Sequence, residues 1–192
     1  MAATHAVALG KRTGFGALNT RWHERALQAF GLIILLHWAE HVAQAWQIWV
    51  LDRPRPEARG FIGAQWPWLV SSEWLHYGYA IVMLVALALL LPGFKGRSRT
   101  FWMVAFVIQI WHFIEHQILL VQTQTHHNWG GAKAPQSVLQ HFWFTGSRPE
   151  LHLFYNTLVT IPMLVAIYFH MYPPKRERAK NEADCSCAKV AA

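Results

Sequence analysis

Leu35-Leu36-His37-Trp38-Ala39-Glu40-His41 and Ile110-Trp111-His112-Phe113-Ile114-Glu115-His116 decide how this chain is read. Each places His-x-x-Glu-His inside a run that is otherwise apolar. A helix that crosses a bilayer needs about 20 predominantly apolar residues. Between Ala26 and Leu51 the chain supplies them, with few polar residues beyond the motif, Gln44 and Gln47. Ionisable groups are expensive at that depth and usually mark function. Two such motifs therefore point to a site inside a membrane.

Four runs are long enough to span. The first covers about 26–51 and stops at Asp52-Arg53-Pro54-Arg55-Pro56, where proline and charge end a helix. Asn19 and Thr20 are acceptable caps for its start. The second covers about 68–91 and stops at Pro92-Gly93, and the third covers about 100–122. The fourth covers about 151–172, with Pro162 predicting a kink and Pro173-Pro174 ending it. The 192 residues are 54% hydrophobic and 14% charged. The bunching of the apolar residues, more than their total, separates a membrane protein from a soluble core. The expected fold is an all-α integral membrane bundle of four transmembrane helices.

Twelve of the 17 Lys and Arg fall in the amino-terminal segment, the turn at 95–99 and the carboxyl-terminal tail. With four spans these lie on one side, and the positive-inside rule puts them, and both termini, in the cytoplasm. The long loops 52–67 and 123–149 then face outside. Topology explains the net charge of +7, so no nucleic acid partner is expected. The first eighteen residues lack a charged start followed by a sustained apolar run, so no cleavable signal is expected. The expected location is a plasma membrane of bacterial type. Cys185 and Cys187 sit in the tail, too few for a disulfide framework.

The motif copies lie 75 residues apart, and other pairs recur at a shift of 75 or 76. Leu75-His76-Tyr77-Gly78-Tyr79 recurs as Leu151-His152-Leu153-Phe154-Tyr155, and Gln65 and Trp68 as Gln140 and Trp143. Met83-Leu84-Val85-Ala86 recurs as Met163-Leu164-Val165-Ala166, about one helical turn later than that step. The chain reads as a duplicated helical hairpin of parallel repeats. A flexible tail (1–18) precedes repeat 1 (19–94); repeat 2 (95–174), with 123–149 as a lid loop, precedes a second tail (175–192). Along the four spans, His37, His41, His76, His112, His116 and His152 all fall at one depth, beneath the long loops.

Residues i and i+4 share a helix face, so His37 and His41 can ligate one ion, as can His112 and His116. Glu40 lies about 60° from His37 around the helix. It and Glu115 are candidate ligands, proton acceptors or partners for a histidine's second nitrogen. Tyr79 and Tyr155, one turn after His76 and His152, are candidates for hydrogen bonding or redox steps. Six imidazoles and two carboxylates fit two ions of iron or copper, with zinc a weaker match. Against this stands polar packing, in which intramembrane His and Glu only satisfy one another. Glu73 and Glu150 read as first-turn acids at helix starts. His126, His127 and His141 are candidates to complete a site from the lid loop, against a plainer reading as solvated loop residues, and His5, His23 and His170 read as lying on the cytoplasmic side.

The motif resembles the His-x-x-Glu-His of inverted-zincin peptidases over five residues. That resemblance implies zinc bound by both histidines with the glutamate as base. His-x-x-x-His together with His126-His127 is similar to the boxes of membrane fatty-acid desaturases and hydroxylases. Their later boxes have no counterpart here, and theirs face the cytoplasm.

The expected function is that of a membrane oxidoreductase with a His/Glu-ligated dinuclear centre. It would activate oxygen or oxidise a small or lipophilic substrate from the lipid bilayer, served by a redox partner. The alternatives are a haem b electron carrier, metal transport or storage, and a non-catalytic membrane subunit.

Overall fold

The computed structural model describes residues 14–143 and 146–177. His5, Phe144, Cys185 and Cys187 lie outside the described residues. The described chain forms α1 (Phe15–Leu18), α2 (His23–Trp49), α3 (Ile62–Gln65), α4 (Pro67–Val70), α5 (Glu73–Leu90), α6 (Gly96–Thr125), α7 (Val138–Phe142) and α8 (Arg148–Met171). Among the described residues there is no strand. The helices α2, α5, α6 and α8 are long and apolar enough to cross a membrane.

These four pack as a ring. Helix α2 lies against α5 and α8, and α6 lies against α5 and α8. The two motif-bearing helices are therefore diagonal across the bundle. On α2 the buried residues Phe30, Ile34, Glu40, His41, Ala45 and Ile48 form one stripe, while Leu35, Leu36, Val42, Trp46 and Trp49 are exposed. The face turned outward is greasy, and the face turned inward carries the charge-bearing groups. That inversion suits a bilayer, where every exposed surface meets hydrocarbon.

Away from the long loops, the interior is mainly apolar, with His23, Ser98 and His170 also buried there. Phe30, Ile34, Met83, Leu87, Phe94, Trp102, Val159 and Met163 fill it. The indole of Trp102 donates to the Leu87 carbonyl at 2.9 Å, which satisfies the polar atom of a fully buried ring.

The helix ends depart from the sequence expectation in several places. Trp68 belongs to α4 and not to the second span, because Ser71 and Ser72 break the helix and α5 starts at Glu73. Asn19 closes α1 instead of opening α2. Its amide donates to the Leu89 carbonyl at 2.8 Å and accepts from the Gly93 N–H at 2.9 Å, tying the amino-terminal segment to the α5–α6 turn. Residues 15–18, expected within a flexible tail, are helical. Helix α6 runs to Thr125, one residue before His126 takes a left-handed φ of 55°. Helix α8 carries Pro162 in its interior, where the sequence places it.

Candidate metal centre

All six predicted histidines meet in one layer. His152 sits at its centre, with ring centroids 6.4 Å from His37, 4.9 Å from His41, 5.1 Å from His76, 5.6 Å from His112 and 5.0 Å from His116. Each layer member comes from a different turn of the four long helices, as the shared depth required. The ligating nitrogens of His112, His116 and His152 lie within 4.8 Å of one another.

Both motif copies present their nitrogens alike. The Nε2 atoms of His37 and His41 are 3.1 Å apart, and those of His112 and His116 are 3.0 Å apart. Two nitrogens each about 2.0–2.1 Å from one ion, at right angles, would be separated by about 3 Å. A hydrogen bond within each pair gives the same distance. Some second nitrogens are already held: His41 Nδ1 pairs with Gln44 Oε1 at 2.8 Å, and His76 Nδ1 with the Ser72 carbonyl at 3.0 Å. An Nδ1–H donated to an oxygen leaves Nε2 free as a ligand, the usual arrangement behind a metal-binding histidine.

The glutamates point elsewhere. Glu40 accepts from the Phe61 N–H at 2.9 Å and from the Ile62 N–H at 3.1 Å, at the start of α3. Glu115 accepts from the Val138 N–H at 2.8 Å and the Leu139 N–H at 3.1 Å, at the start of α7. Each carboxylate satisfies the orphan donors of a short helix lying over the histidine layer. Two turns further along, the amides of Gln47 and Gln122 do the same job for the backbone before those helices. Gln47 brackets Gly60, accepting from its N–H at 2.9 Å and donating to its carbonyl at 3.3 Å. Gln122 brackets Gln136, at 3.2 Å and 2.7 Å. The two bracketing glutamines were missed as functional residues, although they keep the 75-residue step of the motif.

The tyrosines are stacked on the layer. Tyr79 lies flat on His37, with centroids 3.7 Å apart, and Tyr155 on His112 at 4.6 Å. The Tyr155 hydroxyl donates to Glu115 Oε1 at 3.1 Å and accepts from the Trp111 indole at 2.8 Å. The buried Tyr79 hydroxyl has no protein partner. Between the layer and the apolar interior lies a cavity of about 10 Å³, lined by His37, His76, Tyr79, His112, His152 and Asn156 among others. A second of about 10 Å³ lies on the loop side, among Glu115, His116, Ser137, Gln140, Arg148 and Tyr155.

The remaining sequence candidates stay outside the layer. His126 caps α6, and His141 stacks edge-on against Trp129 in the loop. Glu73 and Glu150 do stand in the first turns of α5 and α8, and each also has a cation. Arg148 forms a two-pronged pair with Glu73, one prong at 2.8 Å, and Arg55 binds Glu150 at 2.7 Å. His23 and His170 pack together with Phe94 at the far end of the bundle. No family model, no curated protein and no solved structure matches the chain, so the chemistry of the site has to be read from its own geometry.

Proposed function

We propose that the protein is a membrane-embedded metalloprotein, an oxidoreductase whose histidine layer holds two ions of iron or copper. One observation carries the reading: two pairs of Nε2 atoms, 3.1 and 3.0 Å apart on diagonal helices, converge around His152. The three-histidine group of His112, His116 and His152 is one binding position. His37 and His41, with His76 beside the shared His152, supply the other.

The bound metal would supply redox chemistry or polarise a small molecule; the chain's residues hold it and shape its surroundings. Imidazole is a good ligand for both iron and copper. The carboxylates, taken up by backbone N–H groups, act here as positioning residues that fasten α3 and α7 over the layer. A haem is harder to accommodate, because the histidine rings fill the layer against one another and leave no slot for a porphyrin. Polar packing alone would not need all six nitrogen-bearing rings at one level.

We further propose that the two hairpins arose by duplication. Matching bonds from Glu40 and Glu115, Gln47 and Gln122, at matching sequence steps, support it. The surplus of Lys and Arg on the other side supports an outward-facing site in a plasma membrane. The small cavities favour a small substrate over a bulky one. A redox partner would exchange electrons with the layer.

Metal analysis and an optical spectrum of the purified protein test the reading. About two iron or copper ions per chain are expected for a His-ligated dinuclear centre. A Soret band would replace this reading with a haem carrier. Metal-free wild-type protein, with His37→Ala and His112→Ala folded as well as the parent, would overturn every metal reading at once.

A further inference from the structure

The cavity beneath the histidine layer carries an asymmetry that the layer itself lacks. Ala80 and Asn156 both line it, each one residue past a layer-stacking tyrosine. At this level the first hairpin is apolar and the second brings an amide. Asn156 is 8% exposed; its side chain lies within hydrogen-bonding reach of His37, and its Nδ2 has no partner. The Tyr79 hydroxyl, on the same cavity, is also buried and unpartnered. Buried donors without partners cost stability and are rare unless they serve a ligand or an ordered water. Five layer histidines, His37, His76, His112, His116 and His152, form one wall. The Thr160 hydroxyl, on the same cavity, accepts from the Trp38 indole at 2.9 Å.

We propose that this cavity is the binding site for one exogenous molecule of water or diatomic size, held by the Asn156 amide and the Tyr79 hydroxyl against the inner face of the histidine layer. The proposal rests on the metal reading above. Size decides the class: about 10 Å³ takes a single water-sized centre and nothing organic. The two orphaned groups decide the chemistry. Asn156 Nδ2 can only donate, and the Tyr79 hydroxyl can donate or accept, so a molecule that accepts hydrogen bonds suits both groups. A second cavity, lined by Ser137, Gln140 and Arg148 among others, lies on the loop side.

Cyanide is the probe, being diatomic and a hydrogen-bond acceptor, titrated optically into the metal-loaded protein in detergent, with metal content measured on every variant. Saturable binding is expected in the wild type. Asn156→Ala and Tyr79→Phe each remove one donor and should weaken it about tenfold, since one hydrogen bond is worth about one such factor. Asn156→Leu and Ala80→Leu, which fill the cavity, should abolish it while the ions stay. Retained metal with cyanide affinity unmoved by all four variants would overturn the cavity assignment and leave the metal reading standing. Wild-type protein without metal would overturn both. A variant that loses its metal is replaced by the other member of its pair, so one donor removal and one filling are enough to decide between these outcomes.

Discussion

Replacing Glu115 by glutamine separates a clamp from a ligand. The Glu115 side chain is 2% exposed and accepts three hydrogen bonds: Val138 N–H at 2.8 Å, Leu139 N–H at 3.1 Å and Tyr155 O–H at 3.1 Å. Glutamine keeps one oxygen but turns an NH₂ towards one of the donors. One charge-assisted bond, worth about 1.5–3 kcal/mol, is lost, and one buried donor is stranded at about 1–3 kcal/mol. These terms overlap, so the cost of holding α7 in place is about 2–4 kcal/mol. At a factor of ten per about 1.4 kcal/mol, α7 should open roughly 30- to 1,000-fold more often. Hydrogen exchange at the Val138 and Leu139 amides, followed by mass spectrometry in detergent, reads this directly. Glu40→Gln is the internal control: it should accelerate Phe61 and Ile62 and spare Val138 and Leu139. Bound metal should survive both changes. Loss of metal with unaltered amide protection would refute the clamp and make the glutamate a ligand.

Other substitutions test neighbouring parts of the same architecture. Gly60 has a φ of 71°, and a Cβ there would fall on the Glu40 carboxylate. Gly60→Ala should therefore lower the thermal midpoint by more than Gly131→Ala, where φ is 70° but the added carbon meets open space; the left-handed backbone alone costs about 1–2 kcal/mol in both. His152→Ala should strip more metal per chain than any other single histidine replacement, because its ring neighbours all five others; equal loss from His126→Ala would contradict the placement. Arg148→Ala leaves Glu73, 7% exposed, without its cation. Denaturant titration should show a loss of about 1–3 kcal/mol, less than for a fully buried pair because the Arg148 side chain is 38% exposed.

The spans and the histidine layer were legible in the sequence because they rest on periodicity and depth alone. An i, i+4 pair shares a face whatever else happens, and counting residues from each span's end put six histidines at one level. The glutamates were not legible in the same way. Their partners are backbone N–H groups 21 to 24 residues away, in loops whose course no period dictates. A carboxylate next to two histidines invites a ligand reading until the loop is seen to lie over it. Trp68 was drawn into the second span by its apolar neighbours, although Ser71-Ser72 offered a break and a start. Gln47 and Gln122 keep the motif's own spacing, but an amide in an apolar run does not by itself reveal a backbone partner in a distant loop.

The two halves of the layer also differ in what surrounds their matched rings. Gln44 holds His41 by Nδ1, whereas Leu119 stands at the matching step on α6 and His116 Nδ1 has no partner. Trp111 and Glu115 fix the Tyr155 hydroxyl, whereas Leu36 occupies the place of Trp111 in the first hairpin and Tyr79 keeps its hydroxyl unpartnered. The partner on a histidine's second nitrogen sets its tautomer and its strength as a ligand. His41 is therefore locked with Nε2 facing the layer, while His116 is not locked by any such bond. Two ions held in this layer would be unequal in affinity and in potential, although the rings that hold them are matched one for one.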